Sequence, residues 1–174
     1  SHIQESVEAI ITKLGEGRKI VLSPGGIKDA QIDRKWCRRW PVENYRDLVV
    51  LLREQGMQII LSGGKDDLWV ADNFDDGVVN LIGKLNLLET IAMYQQVDLV
   101  ITHDSGAIHL AGIAGTPVIG LFGPTNPHTF MPKGLFNKYI WDVDRYACCP
   151  CYDGRNYADC KENICMKNIL PQRV

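Results

Sequence analysis

The chain has 174 residues, 45% hydrophobic and 23% charged, the proportions of a folded globular domain long enough for a sizeable core. Its 19 basic and 21 acidic residues leave a formal net charge of −2, which argues against bulk electrostatic capture of nucleic acid or of an anionic membrane. No apolar run reaches the ~20 residues of a membrane span, and the opening SHIQESVEAIITKLGEG lacks the basic-then-apolar order of a signal peptide, so the cytoplasm is the expected compartment.

Residues 3–14 read as a first helix. KIVLS, 19–23, is a short apolar run that ends at Pro24-Gly25-Gly26, the pattern of a buried strand followed by a loop. The polar, basic stretch IKDAQIDRKWCRRWP has no periodicity and reads as a long loop, a feature that in compact domains often carries function. Pro41 suits a helix start, Tyr45, Leu48, Val49 and Leu52 recur at helical spacing, and Gly56 ends that helix. A second strand at 57–61 runs into Ser62-Gly63-Gly64 and a helix through about residue 73, and 78–81 is a short strand. Asn86 with Glu89 forms a capping-box pattern, with Leu88, Ile91 and Ala92 expected on the buried face. Strands at 98–102, 118–122 and 139–143 complete the series, with a helix after THDSG between the first two.

Strands that alternate with helices, and that are apolar throughout, specify a sheet covered on both faces. The expected fold class is α/β: a single domain over residues 1–174 with a Rossmann-like parallel sheet and helices on both faces. Ligands in such folds sit at the carboxyl ends of strands, where the loops SPGG, SGGKDD, HDSG and FGPT should line one edge.

The richest of these loops is Asp104-Ser105-Gly106. A helix N-terminus exposes unpaired N–H groups and a partial positive charge that attracts phosphate. Gly106 allows close approach, Ser105 adds a hydroxyl, and His109 lies one turn on along the same face. Asp-Ser-Gly alone reads as an ordinary N-cap; the strand in front and His109 behind turn the balance toward the anion site. Arg38-Arg39-Trp40-Pro41 places two guanidiniums near the same edge, able to clamp a diphosphate or simply to form a solvated basic loop around a tryptophan plug. An acidic residue after Gly63-Gly64 can accept from ribose hydroxyls or favour the helix dipole. Neither a G-x-G-x-x-G fingerprint nor a P-loop occurs.

Of six cysteines, Cys37 stands apart and the other five crowd into residues 144–174, a cysteine-rich segment. Cys148 (or Cys149), Cys151, Cys160 and Cys165 are a candidate structural zinc set, although the spacing lacks paired C-x₂-C motifs; reduced, part-buried thiols and disulfides formed on isolation are the other readings.

In order along the chain, SPGG, RRWP, LSGGKDD, NLIGKLNLLE and DLVITHDSGAIHLAGIAGTPVIGLFGPTNP, followed by CCPC and two later cysteines, resemble the C-terminal half of glycosyltransferase family 9, the lipopolysaccharide heptosyltransferases. The resemblance covers about residues 19–170 and implies the donor-binding half of a GT-B glycosyltransferase that takes a nucleotide sugar, usually ADP-heptose. It implies that Asp104, Ser105 and Gly106 hold the donor diphosphate with His109 in support. Arg38 stands where the family has Lys, aided by Lys28 or Lys35; Asp67 contacts donor hydroxyls and Leu85 packs on the base. It also implies that no metal cofactor is required, that the catalytic carboxylate and the glycolipid acceptor site belong to an N-terminal domain not represented in this chain, and that the intact enzyme works at the inner face of the bacterial inner membrane. Two other readings stay open: half of a GT-B nucleotide-sugar epimerase, and a non-catalytic nucleotide- or metal-binding module.

Overall fold

The computed structural model describes residues 2–26 and 35–174. The first half contains α1 (His2–Lys13), β1 (Lys19–Ser23), a 3₁₀ turn (Lys35–Arg38), α2 (Val42–Glu54), β2 (Gln58–Leu61), a 3₁₀ turn (Lys65–Asp67) leading into α3 (Leu68–Ala71), and β3 (Val79–Asn80). The second contains α4 (Leu87–Tyr94), β4 (Leu99–His103), α5 (Gly106–Ala114), β5 (Val118–Phe122), α6 (Pro127–Phe130) and β6 (Lys138–Trp141). A 3₁₀ turn (Val143–Arg145), α7 (Ile164–Lys167) and a last 3₁₀ turn (Pro171–Arg173) follow.

All strand pairs are parallel, in the order β3-β2-β1-β4-β5-β6. The four inner strands β2, β1, β4 and β5 are apolar at consecutive positions because both faces are covered. Ile20 and Leu22 of β1, Ile59 and Leu61 of β2, Ile101 of β4 and Leu121 of β5 face one core with Tyr45, Leu48 and Val49 of α2 and Met166 of α7. The residues between them, Val21, Ile60 and Val100, face the other core with Val7 of α1, Met93 and Tyr94 of α4, and Ile108 and Ala111 of α5. The α/β class and doubly covered parallel sheet expected from the sequence are therefore present. No helix among the described residues is long and apolar enough to cross a membrane.

Several boundaries differ from expectation. The stretch read as a featureless loop closes with the 3₁₀ turn at Lys35–Arg38, and the helix expected through residue 73 is the short pair of turns Lys65–Asp67 and Leu68–Ala71. The last strand is Lys138–Trp141 rather than 139–143. The capping box forms as read: Asn86 Oδ1 accepts from Glu89 N at 3.0 Å and Glu89 Oε2 accepts from Asn86 N at 2.8 Å. Leu88, however, is 64% exposed. The helix spans only eight residues and turns Ala92, Met93 and Tyr94 inward, so its first turn projects beyond the core.

The strand order reverses between β1 and β4, each side of which continues outward through its own neighbours. This is the topological switch point at which open α/β sheets leave a crevice. The register sets Ser23 against Thr102 and Leu22 against both Leu61 and Ile101, so the loops after β1, β2 and β4 emerge side by side.

Candidate functional site

Those three loops, with α4 and α5, enclose a cavity of about 300 Å³ lined by Ser23, Gly25, Gly26, Ser62, Gly63, Gly64, Asp67, Leu85, Leu87, Tyr94, Ser105 and Gly106, among others. Four of the seven residues expected at the site thus converge: Asp67, Leu85, Ser105 and Gly106. Ser105 caps α5 with extended backbone, and its hydroxyl lies 3.1 Å from Thr102 Oγ1. A Cβ built on Gly106 meets no atom within 4 Å. Protein packing does not demand a glycine there; within the first turn of α5, Ile108 N donates to Ser105 O at 3.2 Å.

Asp67 has a structural task in addition to the one expected of it. One carboxylate oxygen accepts from Gly26 N at 2.7 Å and the other from Gly64 N at 2.8 Å, so the side chain straps the loops after β1 and β2 together. The glycines are needed for this approach: a Cβ on Gly25 would sit 2.3 Å from Asp67 Cγ. Each carboxylate oxygen retains a lone pair for a hydroxyl donor.

Asp104 and Arg38 stand beside the cavity rather than in its lining. Asp104 is buried, and its Oδ2 accepts from Thr125 Oγ1 at 2.8 Å and pairs with Arg38 Nη1 at 3.5 Å. The Arg38 guanidinium lies over the Tyr157 ring, 5.9 Å from its centroid. Arg39, grouped with Arg38 from the sequence, instead stacks on Trp69 at 4.9 Å, and burial lowers its pKa. His109 is exposed on α5 and does not line the cavity. Lys28 and the side chain of Lys35 lie outside the described residues.

Two hydrogen-bonded pairs are buried at the strand ends. Tyr45 OH lies 2.9 Å from His103 Nδ1 and accepts from His103 N at 3.1 Å. Burial holds the His103 pKa down to about 3, with Arg38 and Arg39 adding to the effect; the ring is neutral at physiological pH. Tyr94 donates to Ser62 Oγ at 3.0 Å, and burial pushes its phenol up to about 12.

The cysteines do not assemble as the zinc set required. No three His, Cys, Asp or Glu side chains among the described residues are grouped to hold a metal ion. Cys148 is exposed whereas Cys165 is buried in the apolar core against Gly123. Cys149 instead donates to Cys165, which raises the Cys149 pKa and lowers that of Cys165. Cys37 joins this neighbourhood: burial, then Cys151, Cys160 and Cys165, push its thiol up to about 12.

Sequence reasoning missed Thr125 and Tyr157 as neighbours of the Arg38–Asp104 pair. Thr125 ends the FGPT loop that follows β5 at the same sheet edge, which was a usable signal. Tyr157 had none, since it reaches the site from the cysteine-rich segment.

A doubly covered parallel sheet with a glycine-walled crevice at its switch point is a Rossmann-like domain, and its architecture matches one half of the GT-B heptosyltransferase structures. The chain belongs to glycosyltransferase family 9 (heptosyltransferase), whose family model matches residues 10–161. It is 34% identical over 104 residues to lipooligosaccharide heptosyltransferase 2 of Haemophilus influenzae, a stretch equal to 55% of this chain and 30% of that protein. The fold superposes on the family 9 glycosyl transferase from Veillonella parvula with a TM-score of 0.72 at 22% identity, over 84% of this chain and 42% of that one. It superposes on E. coli ADP-heptose LPS heptosyltransferase II with a TM-score of 0.70 at 21% identity, over 99% of this chain and 49% of that one. The chain therefore spans about half the length of that solved enzyme.

Proposed function

We propose that this chain is the donor-binding half of a glycosyltransferase that transfers heptose from a nucleoside diphosphate sugar, ADP-heptose, to a lipopolysaccharide core acceptor. The observation that carries this reading is the cavity at the switch point, where the open N-terminus of α5 and the vacant space at Gly106 meet Asp67 and Leu85. The diphosphate lies against Ser105 and the first N–H groups of α5. Leu85 packs on the base, and Asp67 accepts from sugar hydroxyls while it straps the loops. As the acceptor hydroxyl attacks the anomeric carbon, negative charge grows on the leaving nucleoside diphosphate. Arg38, held at the edge of the site by Asp104, stabilises that charge electrostatically, and this step needs no metal. His109 acts from outside the cavity wall, as support for the α5 turn. The names of the relatives support heptose as the sugar, and the ADP-heptose in the name of the E. coli enzyme supports adenine as the base.

The catalytic carboxylate and the glycolipid site belong, in this reading, to the other half of a GT-B enzyme that works peripherally at the inner face of the inner membrane. The isolated chain accordingly binds donor nucleotide and transfers nothing. Calorimetric titration with ADP, UDP and GDP tests the donor assignment. ADP should bind best, and Arg38→Ala and Ser105→Ala should each weaken it about tenfold or more, as loss of a hydrogen bond to a charged group does. Equal affinity for all three nucleotides would overturn the choice of base, and indifference to both substitutions would overturn the placement of the diphosphate.

A further inference from the structure

The Arg38 guanidinium is a long, half-buried cation on a 3₁₀ turn, an element with little rigidity of its own. It is nevertheless bounded on two sides by residues from distant parts of the chain. On one side Asp104 Oδ2 meets Nη1 at 3.5 Å, and that same oxygen accepts from Thr125 Oγ1 at 2.8 Å. Thr125 is 1% exposed, so its hydroxyl has no water to serve and its bond fixes the direction of the carboxylate. On the other side the guanidinium carbon sits 5.9 Å from the centroid of Tyr157, within the range of a cation–π contact.

Tyr157 is itself built in. Its ring stacks on Tyr152 with centroids 4.6 Å apart, and the two residues form an antiparallel bridge. Tyr152 N and Cys151 N both donate to Pro124 O, at 3.1 and 2.9 Å, which ties the cysteine-rich segment to the residue next to Thr125. Further along the segment, Asn163 Nδ2 donates to Arg39 O at 3.0 Å, which ties it to the residue next to Arg38. Burial pushes the Tyr157 phenol up to about 12, so the ring meets the guanidinium as a neutral aromatic.

We propose that Thr125 and Tyr157 are positioning residues that hold Arg38 between a fixed carboxylate and an aromatic face, and that the cysteine-rich segment serves the donor site by carrying Tyr157. Neither residue touches the donor; each acts through Arg38. The inference rests on the donor-site reading above, since it presumes that Arg38 meets the diphosphate. It gives the segment a task that needs no metal and no disulfide.

The test is calorimetry of the full chain with ADP and, as the probe that lacks phosphate, adenosine. Four variants are compared: Thr125→Val, Thr125→Ser, Tyr157→Leu and Tyr157→Phe. Thr125→Val should weaken ADP about tenfold and Tyr157→Leu about two- to fivefold. Adenosine affinity should hold in both, and Thr125→Ser and Tyr157→Phe should restore ADP binding. A merely structural loss would lower ADP and adenosine together, and the serine and phenylalanine variants would give no selective recovery. Thermal unfolding of each variant separates loss of fold from loss of position, and Tyr157→Leu, at a half-exposed site, keeps the test open if Thr125→Val does not fold. Wild-type affinity for ADP with no selective loss in either variant overturns this inference alone. Failure of the wild type to bind ADP overturns the donor-site reading and this inference with it.

Discussion

Replacement of Asp67 by Ala removes the strap between the loops after β1 and β2. Two N–H donors, Gly26 N at 2.7 Å and Gly64 N at 2.8 Å, lose a charged acceptor at once. A hydrogen bond to a charged group contributes about 1.5–3 kcal/mol when buried. Asp67 is only half-buried, so the lower end applies to each and the pair amounts to about 3 kcal/mol. For a domain of this size that corresponds to a fall of about 6–12 °C in Tm. Asp67→Asn retains at most one acceptor oxygen in place and should recover no more than half of the loss. Denaturant unfolding and calorimetry of the three proteins provide the comparison, with ADP affinity as a second reading because the strapped loops form two walls of the cavity. A loss below about 0.5 kcal/mol for Asp67→Ala, the scatter of ordinary surface changes, would refute the strap.

Gly25→Ala should reproduce much of that loss by a different route. The new methyl would lie 2.3 Å from Asp67 Cγ, and relieving such overpacking costs about 1–3 kcal/mol; an unchanged midpoint in urea would contradict it. Acidification should destabilise the chain through His103. The folded pKa is about 3 and the unfolded value about 6.5, so the unfolded chain takes up the proton first. The stabilisation is fully present above pH 6.5 and falls as the pH drops from there toward 3, by at most about 1.4 kcal/mol per pH unit. Stability measured at several pH values should show a shallower slope for His103→Asn than for the wild type, and parallel slopes would count against a neutral buried ring. On α4, Met93→Ala should cost about 2–5 kcal/mol while Leu88→Ala stays within about 0.5 kcal/mol, since Met93 is fully buried and Leu88 is 64% exposed; comparable losses would mean that the helix is rotated.

The features legible in the sequence were those decided by neighbours in the chain. The apolar runs of β1, β2, β4 and β5 identify a sheet covered on both faces, and the Asn86–Glu89 box closes within one turn, so both could be read directly. The buried face of α4 could not be read in full, because its short length lets the first turn project past the sheet and only tertiary position decides which leucine is covered. At the site, Ser105 and Gly106 were legible because they follow a strand end, and parallel register brings strand ends together; Asp67 and Leu85 were named through the family resemblance, the loop after β2 by itself giving only an unspecified acidic residue. The aromatic partner of Arg38 was not legible. Tyr157 lies far along the chain and becomes a neighbour only when the cysteine-rich segment folds back over the FGPT loop, whereas Thr125 reaches Asp104 because β4 and β5 pair in parallel at the same sheet edge. Cys37 illustrates the same limit: isolated in sequence, it ends up electrostatically coupled to Cys151, Cys160 and Cys165.

The central claim is that a nucleotide diphosphate occupies the open space at the N-terminus of α5, and Gly106→Ala tests it most directly. The added methyl meets no protein atom within 4 Å and sits at the first position of a helix, where alanine is at least as favourable as glycine. Thermal stability should therefore be unchanged or slightly raised, while ADP affinity measured by calorimetry falls tenfold or more because the methyl takes the place of a phosphate oxygen. A variant that is equally stable and binds ADP as tightly as the wild type would show that the diphosphate lies elsewhere.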